Sequence, residues 1–293
     1  MSKVVIWGLK SVRHSHRYIH SGFYDAFQRL GHETYWVDDS EESQKLLSPG
    51  SIVIAVNVAS KYLAKVKKVK YVLHNLEPKS LGLDTDYLNL QVYTSNSTGE
   101  TIETPVIKFD QRSKTLFQPW GIAIPSQNWL SSRETRLSSE FWIGAVWQND
   151  LGQGNKEEID LYKKVLKSNG IKFRRRGGTR WITREGIGEN KALQLVNQSA
   201  VGAAIVGRWQ LEHSYIPCRL FKNIAAGAIP ASNSNIGELL GISGVFDSQI
   251  GSLVDQALGI SHQRAIALNE EAKRGIHKFS YENSIKRILQ TLG

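Results

Sequence analysis

Short β-branched and aromatic runs, separated by amphipathic stretches of helix length and by glycine stops, recur along this chain and constrain its fold more than any other feature. Lys3 to Trp7 is the first run, and a polar loop from Gly8 to Ser21 carries Arg13, His14, His16 and His20. The spacing predicts a helix over 22–30, stopped by Gly31, and then a strand at Thr34 to Val37. Strand, loop, helix, glycine and strand make a βαβ unit. The rhythm continues with Ser51 to Val56, a helical stretch near Tyr62 to Lys68, and a strand at Lys70 to His74, with later strands at Val92 to Thr94 and Val106 to Phe109. Strands this apolar, alternating with helices, imply a parallel, doubly wound sheet.

A stretch rich in Pro, Ser and Arg, from Gln118 to Ser139, breaks the rhythm, and a second series follows. Its strands are Phe141 to Trp147, Ile171 to Arg174, Val201 to Val206 and Ala228 to Ala231. Its helices are Lys156 to Ser168, about Gly188 to Asn197, about Cys218 to Ala226, Ile250 to Leu258 and His262 to Leu292. At 293 residues the chain exceeds the usual single domain. The expected organisation is an α/β chain of two Rossmann-like domains facing a cleft: residues 1–125, a linker over 126–139, a second domain over 140–275, and a closing helix over 276–293.

No apolar run approaches the roughly 18 residues that cross a bilayer, and the opening residues form too short an apolar stretch for a signal-peptide core. The single cysteine, Cys218, offers neither an internal disulfide nor a metal cluster, which suits a reducing cytosol. The expected location is therefore cytoplasmic, or peripheral to a membrane. A net charge of +10 favours anionic partners, namely nucleotide phosphates, nucleic acid, an acidic glycan or an anionic membrane surface. Charge alone does not choose among them, and the clusters at Lys61 to Lys70 and Arg174 to Arg184 also fit ordinary solvated faces. No obligate protein partner is inferred.

Ligands of doubly wound sheets bind beyond the carboxyl ends of the strands, where helix N-termini offer unpaired amides. After Val206 the chain runs Gly207-Arg208-Trp209 and on to Tyr215, and Pro217 suits the first turn of a helix. Arg219 and Lys222, three apart, then share one face beside that helix N-terminus. A guanidinium, an ammonium and free amides can together hold a diphosphate without a metal. The same spacing also describes an amphipathic helix whose basic residues face solvent.

The segment Tyr215 to Arg219, then Phe221-Lys222-Asn223, Gly227 to Pro230 and Ser232-Asn233, resembles the second domain of glycosyltransferases of the GT-B fold. The likeness extends loosely over 141–293, and Gly22 to Glu33 is similar to the family's first helix and turn. The resemblance implies a nucleotide-sugar donor held by Arg219 with Lys222, a pocket lined by Tyr215, Gly207 and Arg208, and a loop from Gly144 through Trp147 to Asn155 that approaches the donor. Gly178 would border the base. Many relatives carry a ribose-binding Glu three or more positions after the basic residue; here Lys222 or Asn223 occupies that region.

In such enzymes the base that deprotonates an acceptor hydroxyl comes from first-domain loops. Glu77 leads, with His74 and His16 behind it, and Arg13 and His14 are acceptor-side candidates. Asp84-Thr85-Asp86 has the form of a cation-binding Asp-x-Asp but is better explained at a helix start. No metal or other cofactor is expected, the nucleotide sugar being a co-substrate. The leading expectation is transfer of a sugar to a hydroxyl of a glycan, in polysaccharide biosynthesis. A DNA-modifying glucosyltransferase, similar to the phage enzymes in Tyr215-Ile216-x-x-Arg219, and a nucleotide-sugar-binding protein without catalysis are the alternatives.

Overall fold

The computed structural model describes residues 2–12, 15–57, 60–76, 78–83, 87–92, 107–133, 137–151, 153–176, 187–215 and 217–293. The chain is mixed α/β and divides into two compact units, Met1–Ala123 with Phe279–Gly293, and Ile124–Lys278. Among the described residues, no helix is long and apolar enough to cross a membrane.

The first unit is a sheet ordered β2-β1-β3-β4-β5-β7-β6, formed by β1 (Lys3–Trp7), β2 (Glu33–Val37), β3 (Ile52–Val56), β4 (Lys70–His74), β5 (Tyr87–Gln91), β6 (Lys108–Asp110) and β7 (Thr115–Phe117). Every pairing is parallel except β6 with β7. All five residues of β3 are buried, as a central parallel strand requires. One face packs Val5, Trp7, Val53, Ala55, Tyr71 and Leu73 against Leu47, Leu63, Leu76 and Leu83.

The expected helix near Tyr62 to Lys68 is absent. The Tyr71 hydroxyl accepts from the Val66 amide (2.8 Å) and donates to the Ala64 carbonyl (2.8 Å), so a side chain satisfies backbone groups that a helix would have paired.

On this unit α1 (Ser15–Arg29) meets α9 (Tyr281–Leu292). Helix α1 begins seven residues earlier than the spacing suggested, which lifts His16 and His20 out of the expected loop and onto one helical face. Gly22 lets the two helices approach, since a Cβ there would lie 2.6 Å from the Tyr281 ring. Phe23 meets that ring tilted, with centres 4.8 Å apart, and Arg29 pairs with Glu282 at 2.6 Å. The long closing helix expected over His262 to Leu292 is two helices, because a short 3-10 turn at His277–Phe279 precedes the Ser280 cap of α9.

The second unit contains β8 (Ser139–Ile143), α2 (Lys156–Ser168), β9 (Lys172–Arg176), α3 (Glu189–Asn197), α4 (Arg208–Glu212), α5 (Cys218–Ala225), β10 (Ala231–Ser232), α6 (Ile236–Leu239), β11 (Val245–Phe246), α7 (Ile250–Gly259) and α8 (His262–Ile276). Helix α2 carries Glu157 and Glu158 in its first turn and Lys167 in its last, matching its dipole, and buries Ile159, Tyr162 and Leu166. Part of the expected linker belongs to this unit: the Leu130 amide donates to the Ala225 carbonyl (2.8 Å), and Asn197 Nδ2 to the Ser131 carbonyl (2.9 Å).

Strands β8 and β9 pair in parallel, as do β10 and β11, but the expected strand at Val201 to Val206 is extended chain with a single bridge, Ala204 to Ser232. Buried side chains replace much of its ladder. The Val201 and Gly202 amides donate to the Glu140 carboxylate (3.0 Å each), and Asn223 Nδ2 donates to the Gly202 carbonyl (2.5 Å). Ser232 Oγ donates to the Ala204 carbonyl, and Asn233 bonds both backbone groups of Val206 at 2.8 Å.

Candidate functional site

Each unit gathers chemistry at the carboxyl ends of its strands. In the second unit Arg219, on the first turn of α5, reaches back to the end of β8. Its Nε and Nη2 donate to the Ile143 carbonyl (3.3 and 3.1 Å), and its guanidinium carbon lies 3.5 Å from the centre of the Trp142 ring. Gly144 makes room for it: a Cβ there would collide with Nη2, and its φ of 133° is one that other residues rarely adopt.

Burial lowers the Arg219 pKa from its ordinary value to about 10, while the neighbouring Cys218 and Tyr215 pull it upward. Among the described residues no carboxylate pairs with it. A desolvated cation held by a carbonyl and a ring retains its unused Nη1 edge for an anion. Lys222 stands one turn further, its pKa also lowered, chiefly by burial.

The loops around Arg219 hold most of the other donor-side residues named from the sequence. Gly207 caps α4, its amide donating to Gln210 Oε1 (3.0 Å). Arg208 is exposed and pairs with Glu212 (3.2 Å). The Tyr215 amide donates to the Gln210 carbonyl. Trp147, 42% exposed, sits on a loop fixed by Asn155, which bonds both Trp147 backbone groups. Asn223 turns inward to Gly202 and is buried, so its amide is occupied within the fold. Gly178 lies outside the described residues.

In the first unit His16, Ile19, His20 and Phe23 of α1 line a small cavity with Ile54 to Val56, Val72, His74, Leu90 and Trp120. The His16 and His74 ring centres are 5.6 Å apart, and His74 meets Trp120 edge-on at 4.7 Å. His74 Nδ1 lies 2.8 Å from the Leu90 carbonyl, and His20 Nδ1 3.0 Å from that of Gly8. A carbonyl only accepts, so each Nδ1 carries a proton. Burial drives the His74 pKa down from 6.5 to about 4, against the Leu90 bond and with a smaller push from His20. His74 is thus a neutral ring at neutral pH, while His16 is partly exposed.

Glu77, Arg13, His14 and the Asp84 to Asp86 motif lie outside the described residues. Sequence reasoning did not select His20, Trp120 or Trp142. The four-residue spacing of His16 and His20 was the available signal for His20 once the helix is known to start at Ser15. A tryptophan in a strand reads as core, so Trp142 gave none.

No protein-family model matches the chain, and no curated protein sequence does. Among solved structures it is similar to the crystal structure of the glycosyltransferase SnogD from Streptomyces nogalater, at a TM-score of 0.45 and 10% identity, with 99% of each chain covered.

Proposed function

We propose that the chain is a glycosyltransferase of the GT-B type that takes a nucleotide-sugar donor through its second unit and a glycan hydroxyl through its first, without a metal. The observation that carries this reading is Arg219: a cation stripped of much of its water, bound by the Ile143 carbonyl and the Trp142 ring and by no described carboxylate. Such a group is costly to bury without an anion in reach, and a diphosphate offers the paired oxygens that a guanidinium edge matches. Lys222 adds positive charge one turn along the same helix, and Tyr215 and Gly207 are the further donor-side residues of this reading.

The acceptor hydroxyl loses its proton to His16, and His74, bonded to Leu90 and neutral, orders the rings beneath it. As the hydroxyl oxygen attacks the anomeric carbon, its bond to the nucleotide diphosphate breaks, and Arg219 with Lys222 compensates the charge that develops on the leaving group. Glu77 is the competing base, and Arg13 and His14 are the acceptor-side contacts of this reading.

The test is a panel of UDP-, GDP-, CMP- and TDP-sugars, read by thermal protection and by donor hydrolysis, with Arg219→Ala and His16→Ala in parallel. The expected result is protection and hydrolysis with one nucleotide class, protection lost in Arg219→Ala, and hydrolysis lost with protection kept in His16→Ala. Protection without turnover in the unmodified chain would make it a nucleotide-sugar binder. If no donor protects it and Arg219→Ala changes nothing, the reading fails.

A further inference from the structure

Glu140 is the most deeply buried acid among the described residues and takes no part in the chemistry above. Its carboxylate accepts from the Val201 amide (3.0 Å), the Gly202 amide (3.0 and 3.1 Å) and the Tyr162 hydroxyl (2.9 Å). Two short paths lead from it to Arg219. Along β8, Trp142 and Ile143 follow Glu140 by two and three residues and supply the ring and carbonyl that hold the guanidinium. Across the fold, Gly202, whose N–H Glu140 binds, accepts at its carbonyl from Asn223 Nδ2, one helical turn after Arg219 on α5.

We propose that Glu140 is a positioning residue for the anion site at Arg219, acting along its own strand and through the two backbone groups of Gly202. The inference rests on the anion-site reading above and adds regulation to it. The groups facing Glu140 are Tyr162 from α2 and the amides of residues 201–203, with Phe173 opposite it on β9; no Lys, Arg or His among the described residues contributes to its proton equilibrium. Burial raises its pKa from 4.5 to about 7 against the pull of those donors.

The ionised carboxylate offers both oxygens to the amides and the Tyr162 hydroxyl. In the acid form one oxygen carries a proton that needs an acceptor, which weakens its hold on Gly202. The strap is therefore tight when ionised and slack when protonated, and the Arg219 site follows it.

The experiment titrates the full chain with inorganic pyrophosphate by calorimetry at about pH 6 and about pH 8, comparing the unmodified protein with Glu140→Gln, Tyr162→Phe and Arg219→Ala. The ionisation of pyrophosphate is common to all four, so the ratio of each variant to the unmodified chain is the readout. Glu140→Gln is expected to bind within about twofold of the unmodified chain at the lower pH and about fivefold more weakly at the higher one. Tyr162→Phe removes a donor that favours the ionised form, so it is expected to shift the step to higher pH; it decides the matter if Glu140→Gln does not fold.

Binding that is lost in Arg219→Ala but tracks the unmodified chain in both other variants overturns the positioning role and leaves the anion site standing. An equal loss at both pH values in Glu140→Gln marks a purely structural residue and overturns it as well. If the unmodified chain binds pyrophosphate no better than Arg219→Ala, the anion site itself fails, and the role of Glu140 with it.

Discussion

The guanidinium carbon of Arg219 lies 3.5 Å from the centre of the Trp142 ring, so a residue at the end of β8 forms the floor for a cation from α5. Ring and carbonyl fix the cation by its flat face and one edge, a geometry that the ammonium of lysine does not reproduce. Arg219→Lys is expected to weaken pyrophosphate binding by about 10- to 100-fold, the range of a lost charge-assisted hydrogen bond. Trp142→Phe keeps a ring with a weaker field and is expected to cost about three- to fivefold. Calorimetric titration distinguishes the two, and equal affinity in Arg219→Lys would sink the stacking argument.

Gly144 is the second support of the same site. Gly144→Ala puts a Cβ into Arg219 Nη2 at a φ of 133°. The expected cost is about 1–3 kcal/mol in the stability of the second unit, together with weaker pyrophosphate binding. Urea unfolding measures the first and calorimetry the second. A variant as stable as its parent would show that the backbone relaxes there.

His74 sets an acid limit on the first unit. Below pH 6.5 the unfolded chain binds a proton that the folded ring refuses until about pH 4, so stability rises with pH across that window. The full benefit is present above pH 6.5 and is lost as pH falls toward 4, a change on the order of 3 kcal/mol. His74→Asn retains a donor for the Leu90 carbonyl and does not titrate, so its unfolding free energy should flatten over this range. An unchanged slope would assign the acid sensitivity elsewhere.

Glu140 acts with the opposite sign on the second unit. Its folded pKa of about 7 lies above the unfolded value of 4.5, so its contribution is full below pH 4.5 and is lost as pH rises to about 7. The loss is again on the order of 3 kcal/mol. Between these values the two units respond to pH in opposite directions. Unfolding followed by hydrogen exchange, which reports each unit separately, should show this crossing, and Glu140→Gln should abolish the second unit's part of it.

Much of the fold is legible in the order of residues. The runs at Lys3 to Trp7, Ile52 to Val56 and Lys70 to His74 are buried parallel strands because a strand covered on both faces must be apolar along its length. The α2 helix carries its boundaries in its own letters, from acids in the first turn to Asn169-Gly170 at the end. The site was legible in part. Arg219 and Lys222 stand out by spacing and charge, and His16 and His74 by type, although the polar letters around His16 concealed that it belongs to a helix.

What the sequence determined by itself is the set of elements whose signals are local: apolar periodicity, caps and glycine stops act over a few residues and need no distant partner. Tertiary structure alone decided where the polar side chains go. Arg219 rests on a carbonyl 76 residues away, and Glu140 binds amides 61 and 62 residues away. Tyr71 takes over the backbone of a crossover that its own pattern marked as helix. A buried polar group must find a partner wherever the chain brings one, and that choice is made by packing, which no short window of residues contains.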